Sequence, residues 1–377
     1  MAGDSAYAVS AAEARRHLSG FWIVAFAFLI VMAFATMPSP LYGLYRARDH
    51  LSAFMITVVY AIFAGGTIGA LLSVGSIATR VGRRGVMLAA VVTMMVAAAL
   101  LAAWKDLPGL LAGRLLTGVA VGLAAGTAIP YLIELSVRKD PNASVARART
   151  IGTSVNVGAL GIGPLVAGCL AQWARQPLTL PYLLFVALGA IALVGLAAAP
   201  ETGAPGHQAT AKRQATGSPP SARIPIPAAA ATLAAFSANG LFAGLSGLFL
   251  ATTLHHPSHA LAGVTLFLVF AAGVISQLAT AGLHASRVLA LGTISMLVGL
   301  ALLVTAVRLS TPSLALFLIG GTLIGAGAGA VFKGTTGLVL EAAAPENRLA
   351  LTSALLIALF VGLSIPVIGA GVALDQG

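Results

Sequence analysis

Residues 113–134 read GRLLTGVAVGLAAGTAIPYLIE, and residues 320–341 read GGTLIGAGAGAVFKGTTGLVLE, an offset of 207 residues. Both stretches are apolar, repeat glycine at four-residue spacing and end in glutamate. At this offset six glycines between residues 60 and 135 meet another glycine, whereas chance predicts about one. They are Gly66, Gly75, Gly85, Gly113, Gly118 and Gly122. The chain is therefore interpreted as one unit used twice.

The composition indicates a membrane protein. Hydrophobic residues make up 59% of the chain and charged residues 8%, and the mean hydropathy is +0.98. Eleven apolar windows are each long enough to cross a bilayer as a helix, which takes roughly twenty residues. Their near-continuous apolar character excludes barrel strands. The windows are 21–45, 52–79, 83–104, 107–135, 150–172, 180–200, 224–254, 260–283, 287–307, 312–340 and 349–374.

The net charge of +11 follows membrane topology rather than nucleic-acid binding. If the N-terminus is cytoplasmic, fourteen of the 21 basic residues fall on the cytoplasmic side, five fall outside, and two lie within windows. This asymmetry is the positive-inside rule. We expect a multi-pass protein of a bacterial inner membrane whose partners include the lipid bilayer and no nucleic acid.

The repeat sets the predicted domains. Residues 1–20 form a cytoplasmic tail before an uncleaved first helix, 21–200 a six-helix bundle, 201–225 a polar linker, and 226–377 a second bundle with five helices. Aligning Pro164 with Pro366 places the counterpart of the sixth helix near 382–402, beyond Gly377. We expect an all-α fold of two pseudo-symmetric bundles, with eleven transmembrane helices in this chain and a missing twelfth; the alternative is a natural eleven-helix variant. Cys169 is the single cysteine, so an intramolecular disulfide is impossible.

Three sequence motifs lie within or between the apolar windows. The first, GSIATRVGRR at 75–84, contains the predicted gating loop: Gly75, Arg80, Gly82, Arg83 and Arg84. The second places Arg114, Gly118 and Gly122 four residues apart. The third is an antiporter-like segment in the fifth helix: Gly161, Gly163, Pro164 and Gly168.

These motifs resemble the major facilitator superfamily (MFS) over nearly the whole chain, and the third resembles the signature of its drug/proton antiporters. The resemblance implies two bundles that rock around a midplane site. It also implies a gating role for the loop, although Thr79 stands where the family motif has aspartate. Taken singly, each glycine pattern is explained as well by close helix packing. The basic loop is equally explained as a topology signal, and Pro164 and Pro366 as kinks.

Ionised side chains inside a membrane are costly and often functional. Arg114 and Lys333 lie well inside their windows. Arg114 either binds an anion, seals helix contacts or snorkels to the outer interface, and Lys333 replaces Gly126 of the first unit. Asn156, Asn239 and Gln277 can hydrogen-bond to substrate or to neighbouring helices. These five residues are the predicted substrate or coupling candidates.

Proton coupling has weaker support. All ten acidic residues and all seven histidines fall in loops or near helix ends, whereas a proton relay needs a titrating group in the cavity. Glu134 or Asp49 can serve through water, or the missing helix can supply the group. The alternatives are an uncoupled facilitator and a metabolite importer of the same fold.

Other classes have little support. Ser246 lies in a GLSG segment that resembles the rhomboid proteases, which need a histidine beside the serine. However, Ser246 lies towards the outer half of the seventh predicted helix and His284 at the cytoplasmic end of the eighth. Neither a zinc nor an ATP motif occurs, so no cofactor or metal is expected. A non-transporting scaffold is the remaining alternative. The sequence predicts a monomeric secondary transporter, not an enzyme, exporting drug-like or organic-anion compounds in exchange for protons.

Overall fold

The computed structural model of the chain describes residues 11–140, 143–202, 225–344 and 347–376. Helices and the connections between them account for these ranges, which contain no strand. The predicted tail up to residue 10 and the linker residues 203–224 lie outside the described residues. The helices are α1 (Ala11–Thr36), α2 (Tyr42–Asp49), α3 (Ala53–Ala103), α4 (Leu107–Lys139), α5 (Val145–Trp173), α6 (Leu180–Ala198), α7 (Ile226–Thr252), α8 (His259–Ala279), α9 (Ala285–Arg308), α10 (Leu314–Ala342) and α11 (Arg348–Gln376).

Serine begins four of these helices. Ser52, Ser144, Ser258 and Ser313 each accept a hydrogen bond on Oγ from the backbone N–H three residues later. Such an N-cap satisfies one of the four N–H groups that lack a partner in the first turn. The starts of α3, α5, α8 and α10 are therefore encoded locally.

The first helix differs from the predicted window 21–45. It begins ten residues earlier, at Ala11, and ends at Thr36, where a short 3-10 turn, Ser39–Leu41, leads into α2. Pro38 and Pro40 explain the end, because proline has no N–H to continue the helical hydrogen bonds.

Ten helices in the described part of the chain are long and apolar enough to cross a membrane. One of them, α3, has 51 residues, which corresponds to about 77 Å against a hydrocarbon core of about 30 Å. Its backbone leaves the helical region at Gly82, where φ is 75° and ψ is 173°. If α3 is divided at Gly82 into two spans, the ten helices correspond to the eleven crossings expected from the sequence. The count of eleven stays a prediction.

Contacts with α4 show that α3 reverses direction at Gly82. A Cβ built on Gly66 would lie 3.2 Å from the Cα of Gly118, and one built on Gly113 would contact Leu101. Along a continuous helix, residues 66 and 101 would lie about 52 Å apart. Both pack on the same short stretch of α4, so segments 53–81 and 83–103 form an antiparallel hairpin.

The sequence repeat recurs in the packing. Gly66 of α3 contacts Gly118 of α4, and 207 residues later Gly273 of α8 contacts Gly325 of α10, where a built Cβ would lie 3.2 Å from the Gly325 oxygen. Glycine at both positions lets the two backbones approach closely. The repeat thus encodes one helix-packing arrangement in the first half (residues 11–202) and again in the second half (residues 225–376).

The bundle has two distinguishable ends. The basic end, as it is called below, contains the Gly82 turn, the C-termini of α4 and α6 and the N-terminus of α5. The opposite end contains Asp49, Asp106 and Trp173. The largest apolar cluster fills the first half and includes three second-half residues, Ala243, Leu266 and Val367.

Candidate functional site

The two halves contact each other in the middle and at the opposite end. Phe63 and Phe360 meet edge to face at 6.1 Å between ring centroids, and the Gln172 Oε1 accepts a hydrogen bond from the His259 N–H at 3.0 Å. Towards the basic end, Val74 faces Gly126 of its own half. Val339 clusters there with Leu351 and Leu355 of the second half. Towards the basic end, the packing of Val74 and of Val339 therefore stays within each half.

The Gly82 turn is held by one carboxylate. Glu201 follows α6, and its two carboxylate oxygens accept hydrogen bonds from the backbone N–H groups of Arg83 and Arg84, each at 3.1 Å. These N–H groups begin the second segment of α3, where the helix dipole favours negative charge. Glu201 thus acts as a cap supplied by another helix.

A second carboxylate on α4 extends this contact. The Arg83 Nε donates to the Glu134 Oε1 at 2.7 Å, and the Thr202 hydroxyl donates to the Glu134 Oε2 at 2.6 Å. Both charged partners are partly exposed, so the ion pair by itself contributes little stability. Its value is geometric, because it links α3, α4 and the residues after α6.

Three further donors hold the chain that follows α6. The Arg84 Nη1 donates to the Ala199 oxygen at 3.3 Å, the Tyr131 hydroxyl to the Pro200 oxygen at 2.6 Å, and the Arg138 Nη2 to the Thr202 oxygen at 2.6 Å. Sequence reasoning did not anticipate Glu134, Arg138 and Glu201 as partners of the basic loop. Glu201 directly follows Pro200, two residues after the end of α6, but this position does not identify its partners.

The remaining residues of the predicted gating loop lie apart from this network. Gly75 and Arg80 are exposed, and a Cβ built on Gly75 would have no atom within 4 Å. The Thr79 hydroxyl, at the position of the family aspartate, donates to the Ser76 oxygen of its own helix at 2.7 Å. This side of α3 is therefore free of close packing in the present arrangement.

Arg114 is 1% exposed, so its guanidinium does not reach the protein surface. Its Nη1 donates to the Ala35 oxygen at 2.7 Å, and its Cζ lies 4.8 Å from the centroid of the Phe63 ring. Ala35 belongs to the last turn of α1, where carbonyls lack helical donors and favour a cation. The Arg114 Nε and the buried Tyr42 hydroxyl lack hydrogen-bond partners among the described residues.

Lys333 and Gln277 are brought together, but through the backbone. The Lys333 Nζ donates to the Gln277 carbonyl oxygen at 2.6 Å and to the Thr280 Oγ1 at 3.2 Å. Gln277 lies in the last turn of α8, so the ammonium group neutralises orphan carbonyls at a helix C-terminus. Where Gly126 contacts Val74 in the first half, Lys333 places a cation in the second.

Asn156 and Asn239 lie on α5 and α7, and the described contacts join neither of them to Lys333 or Arg114. The Oδ1 atom of each is buried without a hydrogen-bond partner in the described part of the chain. The hydroxyls of Thr232, Thr335 and Thr336 are in the same state. Buried polar atoms normally have a protein or water partner, so these five mark places where water or a ligand is expected.

The antiporter-like segment lies at two helix crossings. A Cβ built on Gly161 would lie 3.2 Å from the Phe267 oxygen of α8, and one built on Gly168 would lie 3.0 Å from the Gly263 Cα. Gly163 faces the Ala33 oxygen of α1, and Pro164 contacts Gly263. Gly161, Pro164 and Gly168 thus pack the two halves together, whereas Gly163 packs within the first half.

The acids considered for coupling are already engaged. Glu134 pairs with Arg83, and Asp49 pairs with Arg48 at 3.1 Å.

The protease alternative would need contact between Ser246 and His284. Ser246 is buried, and the His284 Nδ1 contacts the Ser286 hydroxyl at 3.1 Å. Within the described residues, no group of three His, Cys, Asp or Glu side chains can hold a metal ion.

The family profile of the Major Facilitator Superfamily matches residues 24–365. The chain belongs to this superfamily. MFS proteins are transporters, so the expectation of a transporter rather than an enzyme is confirmed. No curated protein sequence matches this chain.

Solved MFS structures share the fold at low sequence identity. The crystal structure of the nucleoside transporter NupG is 12% identical, with a TM-score of 0.70 over 96% of this chain and 91% of that one. The inward-open xylose transporter XylE from E. coli is 16% identical, with a TM-score of 0.66 over 93% and 90%. A partially occluded, inward-open XylE structure gives 0.64 at 16% identity over 96% and 98%.

Proposed function

We propose that this MFS chain carries small molecules by alternating access, with the space between its halves as the binding cavity. One observation carries the proposal: the halves contact each other in the middle and at the opposite end, whereas Val74 and Val339, towards the basic end, pack within their own halves. Rocking the halves about their crossings at Gly161 and Gly168 would close one side and open the other.

The proposed cargo is a drug-like or organic-anion compound. Lys333 and Arg114 are the basic residues deepest in the helices, and no described acid accompanies either of them within salt-bridge distance. The unpartnered oxygens of Asn156 and Asn239 would accept hydrogen bonds from the cargo. Lys333, Gln277 and these amides are the proposed contacts, while Arg114 seals the α1–α4 contact.

Export in exchange for protons is proposed through the resemblance of Gly161–Gly168 to the antiporter signature. A specific observation favours a second candidate, an uncoupled facilitator or an importer. Both acids considered for coupling are tied into ion pairs in this arrangement. The fold is also shared with carriers whose names give nucleosides and xylose as cargo.

The test is solute and proton flux in proteoliposomes, with lipophilic cations, organic anions, nucleosides and pentoses as separate panels. A trapped pH indicator reports protons, and radiolabelled or fluorescent solute reports cargo. Proton movement that follows one panel and is lost in Lys333→Met supports coupled transport. Solute flux without protons supports the facilitator, and absence of flux in every panel contradicts the carrier.

We further propose that the protein is a monomer in a bacterial inner membrane with the basic end in the cytoplasm. Support comes from the basic residues 80, 83, 84, 138, 139, 147 and 149, which cluster at that end. The proposed division into 1–20, 21–200, 201–225 and 226–377 follows the repeat. Cysteine labelling of Ser144→Cys and Ser310→Cys in inverted and right-side-out vesicles tests the orientation.

The repeat also supports a twelfth helix. In the first half, α6 packs on the second arm of α3, where Gly189 faces Met94 and Met95, and Met87 and Val91 of this arm are 0% exposed. Their counterparts at the 207-residue offset, Ile294 and Val298, are 58% and 46% exposed. Phe34 packs on Tyr182 and Phe185 of α6. Its counterpart Leu241 lines an open apolar cavity of about 390 Å³ between α7, α9 and α10. We propose that this groove receives a helix of the same polypeptide.

Appending the α6 sequence through a polar linker tests this packing. With Cys169 replaced by alanine, a membrane-soluble maleimide should label Leu241→Cys in the 377-residue chain and label it more slowly once the helix is appended. Ile191→Cys on the exposed side of α6 is the matched control and should label equally in both. Unchanged labelling of Leu241→Cys would contradict the assignment.

A further inference from the structure

A second cavity lies at the basic end, away from the space between the halves. It has a volume of about 340 Å³ and is bounded by α1, the end of α4 and the start of α5. Leu18, Phe21, Trp22 and Ile151 line one part, and Lys139 and Arg147 line another. The cavity thus combines an apolar wall with two cationic side chains.

The apolar wall is exposed at the bundle surface. Trp22 is 56% exposed, and its ring packs edge to face on the buried Phe21 ring at 5.3 Å between centroids. Tryptophan is enriched where hydrocarbon meets the headgroup region. Trp22 therefore marks the depth at which acyl chains begin.

The cationic part is accessible to a ligand. Lys139 and Arg147 are exposed, and neither forms an ion pair with a carboxylate of the described chain. Asp140 also lines the cavity, so the three charged lining groups sum to +1. The N-terminus of the 29-residue α5, capped by Ser144, adds the positive end of a helix dipole to the same place.

The charge around the cavity has the same sign. Six basic residues (Arg15, Arg16, Arg138, Lys139, Arg147 and Arg149) and two acidic residues (Glu13 and Asp140) lie in the described parts of residues 11–20 and 138–149. The cytoplasmic leaflet is anionic, and each basic residue near it is attracted. A phosphate group with attached hydrocarbon satisfies both parts of the cavity at once.

We propose that this cavity binds an anionic phospholipid of the leaflet at the basic end. The lipid phosphate lies between Lys139 and Arg147, and one acyl chain runs along Leu18, Trp22 and Ile151. Bound in this way, the lipid joins α1, α4 and α5 on the outer surface of the first half. The site is separate from the cargo cavity.

The three tryptophans allow a direct test. Trp104 and Trp173 lie at the opposite end, so Trp104→Phe with Trp173→Phe leaves Trp22 as the sole fluorophore. The protein is reconstituted in phosphatidylcholine with increasing fractions of brominated phosphatidylglycerol or brominated phosphatidylcholine. We expect phosphatidylglycerol to quench Trp22 at a fraction about fivefold lower. Equal quenching by the two lipids would overturn the proposal.

Charge variants separate the site from general surface attraction. Lys139→Gln with Arg147→Gln should abolish the preference, whereas Arg287→Gln with Arg348→Gln, which removes two exposed charges from the second half, should retain it. A preference equal in both double variants overturns the site. Inorganic phosphate is added as a third arm: loss of lipid quenching at millimolar phosphate would assign the cations to a soluble anion instead. The comparison of phosphatidylglycerol with phosphatidylcholine uses the protein without charge substitutions, so it remains valid even if a double variant misfolds.

Discussion

The carboxyl group of Glu201 lies against Gly82, and a Cβ built on Gly82 would stand 2.7 Å from the Glu201 carboxyl carbon. Glycine is thus required here twice, once for the positive φ of 75° and once for the space that the cap occupies. The contact ties the reversal of α3 to the end of α6.

Gly82→Ala should destabilise the protein by about 2 kcal/mol or more, because a strained φ/ψ costs about 1–3 kcal/mol and the cap must also move. The measurement is the thermal unfolding midpoint in detergent. Gly69→Ala is the matched control, since a Cβ there would have no atom within 4 Å. Equal midpoints for the two variants would contradict the required glycine.

Glu201→Gln keeps the shape of the cap but removes its charge. Hydrogen bonds to a charged group contribute about 1.5–3 kcal/mol each, and those at a partly exposed site contribute less. We expect a loss of about 1–2 kcal/mol and faster hydrogen exchange at Arg83 and Arg84. Glu341→Gln, an exposed acid at the basic end of the second half, should leave both quantities unchanged. Slow exchange retained in Glu201→Gln would show that the cap is dispensable.

Arg114→Met removes the donor to Ala35 and leaves that buried carbonyl unpaired. An unsatisfied buried group costs about 1–3 kcal/mol, so a lower unfolding midpoint is expected together with lower flux. Arg308→Met at the exposed end of α9 is the control. If Arg114→Met lost flux while unfolding at the wild-type midpoint, Arg114 would act on cargo and not on the helix contact.

Lys333→Met should abolish flux of anionic cargo, and Lys333→Arg should retain part of it because the charge is kept. Stability should fall by about 1 kcal/mol in Lys333→Met, the usual net value of a hydrogen bond. Lys105→Met, a cation at the opposite end, serves as the control in the same flux measurement. Full anion flux in Lys333→Met would remove Lys333 from the cargo site.

Gly118→Ala and Gly75→Ala form a matched pair, because Gly118 lies in the close contact between α3 and α4 and Gly75 lies in open space. A Cβ at Gly118 would lie 2.9 Å from the Thr67 nitrogen, whereas one at Gly75 would contact nothing. Alanine is favoured over glycine in a helix by about 1 kcal/mol, so Gly75→Ala should raise the unfolding midpoint and Gly118→Ala should lower it. Two shifts of the same sign would contradict the packing.

Long apolar windows were sufficient to predict an all-helical chain, and the 207-residue repeat predicted two similar halves. The pairing of Gly66 with Gly118, and of Gly273 with Gly325, was seen only in the structure. The end of α1 was predicted nine residues too late, because a hydropathy window does not register the missing donors of Pro38 and Pro40. The role of Glu201 was inaccessible for a different reason. Its partners Arg83 and Arg84 lie more than a hundred residues away, and only the α3 hairpin brings them together.

The contacts of the candidate site could likewise be predicted only in part. The sequence left three roles open for Arg114: anion binding, sealing of helix contacts and snorkelling to the outer interface. The structure buries its side chain against a carbonyl of α1, a partner that sequence cannot identify because every residue has a carbonyl. Gln277 was selected for its amide, yet its main-chain oxygen makes the contact with Lys333.

The one-residue connection at Gly82 has a mechanical consequence. Two helical arms joined without a flexible loop, and fastened to α4 by Arg83 and to the chain after α6 by Glu201, cannot slide past one another. A push on either arm reaches α4 and α6 as a shared displacement, so the basic end of the first half moves as a single lever. Bending during the transport cycle must then fall elsewhere, in helices that carry an internal proline such as Pro130, Pro164 and Pro366.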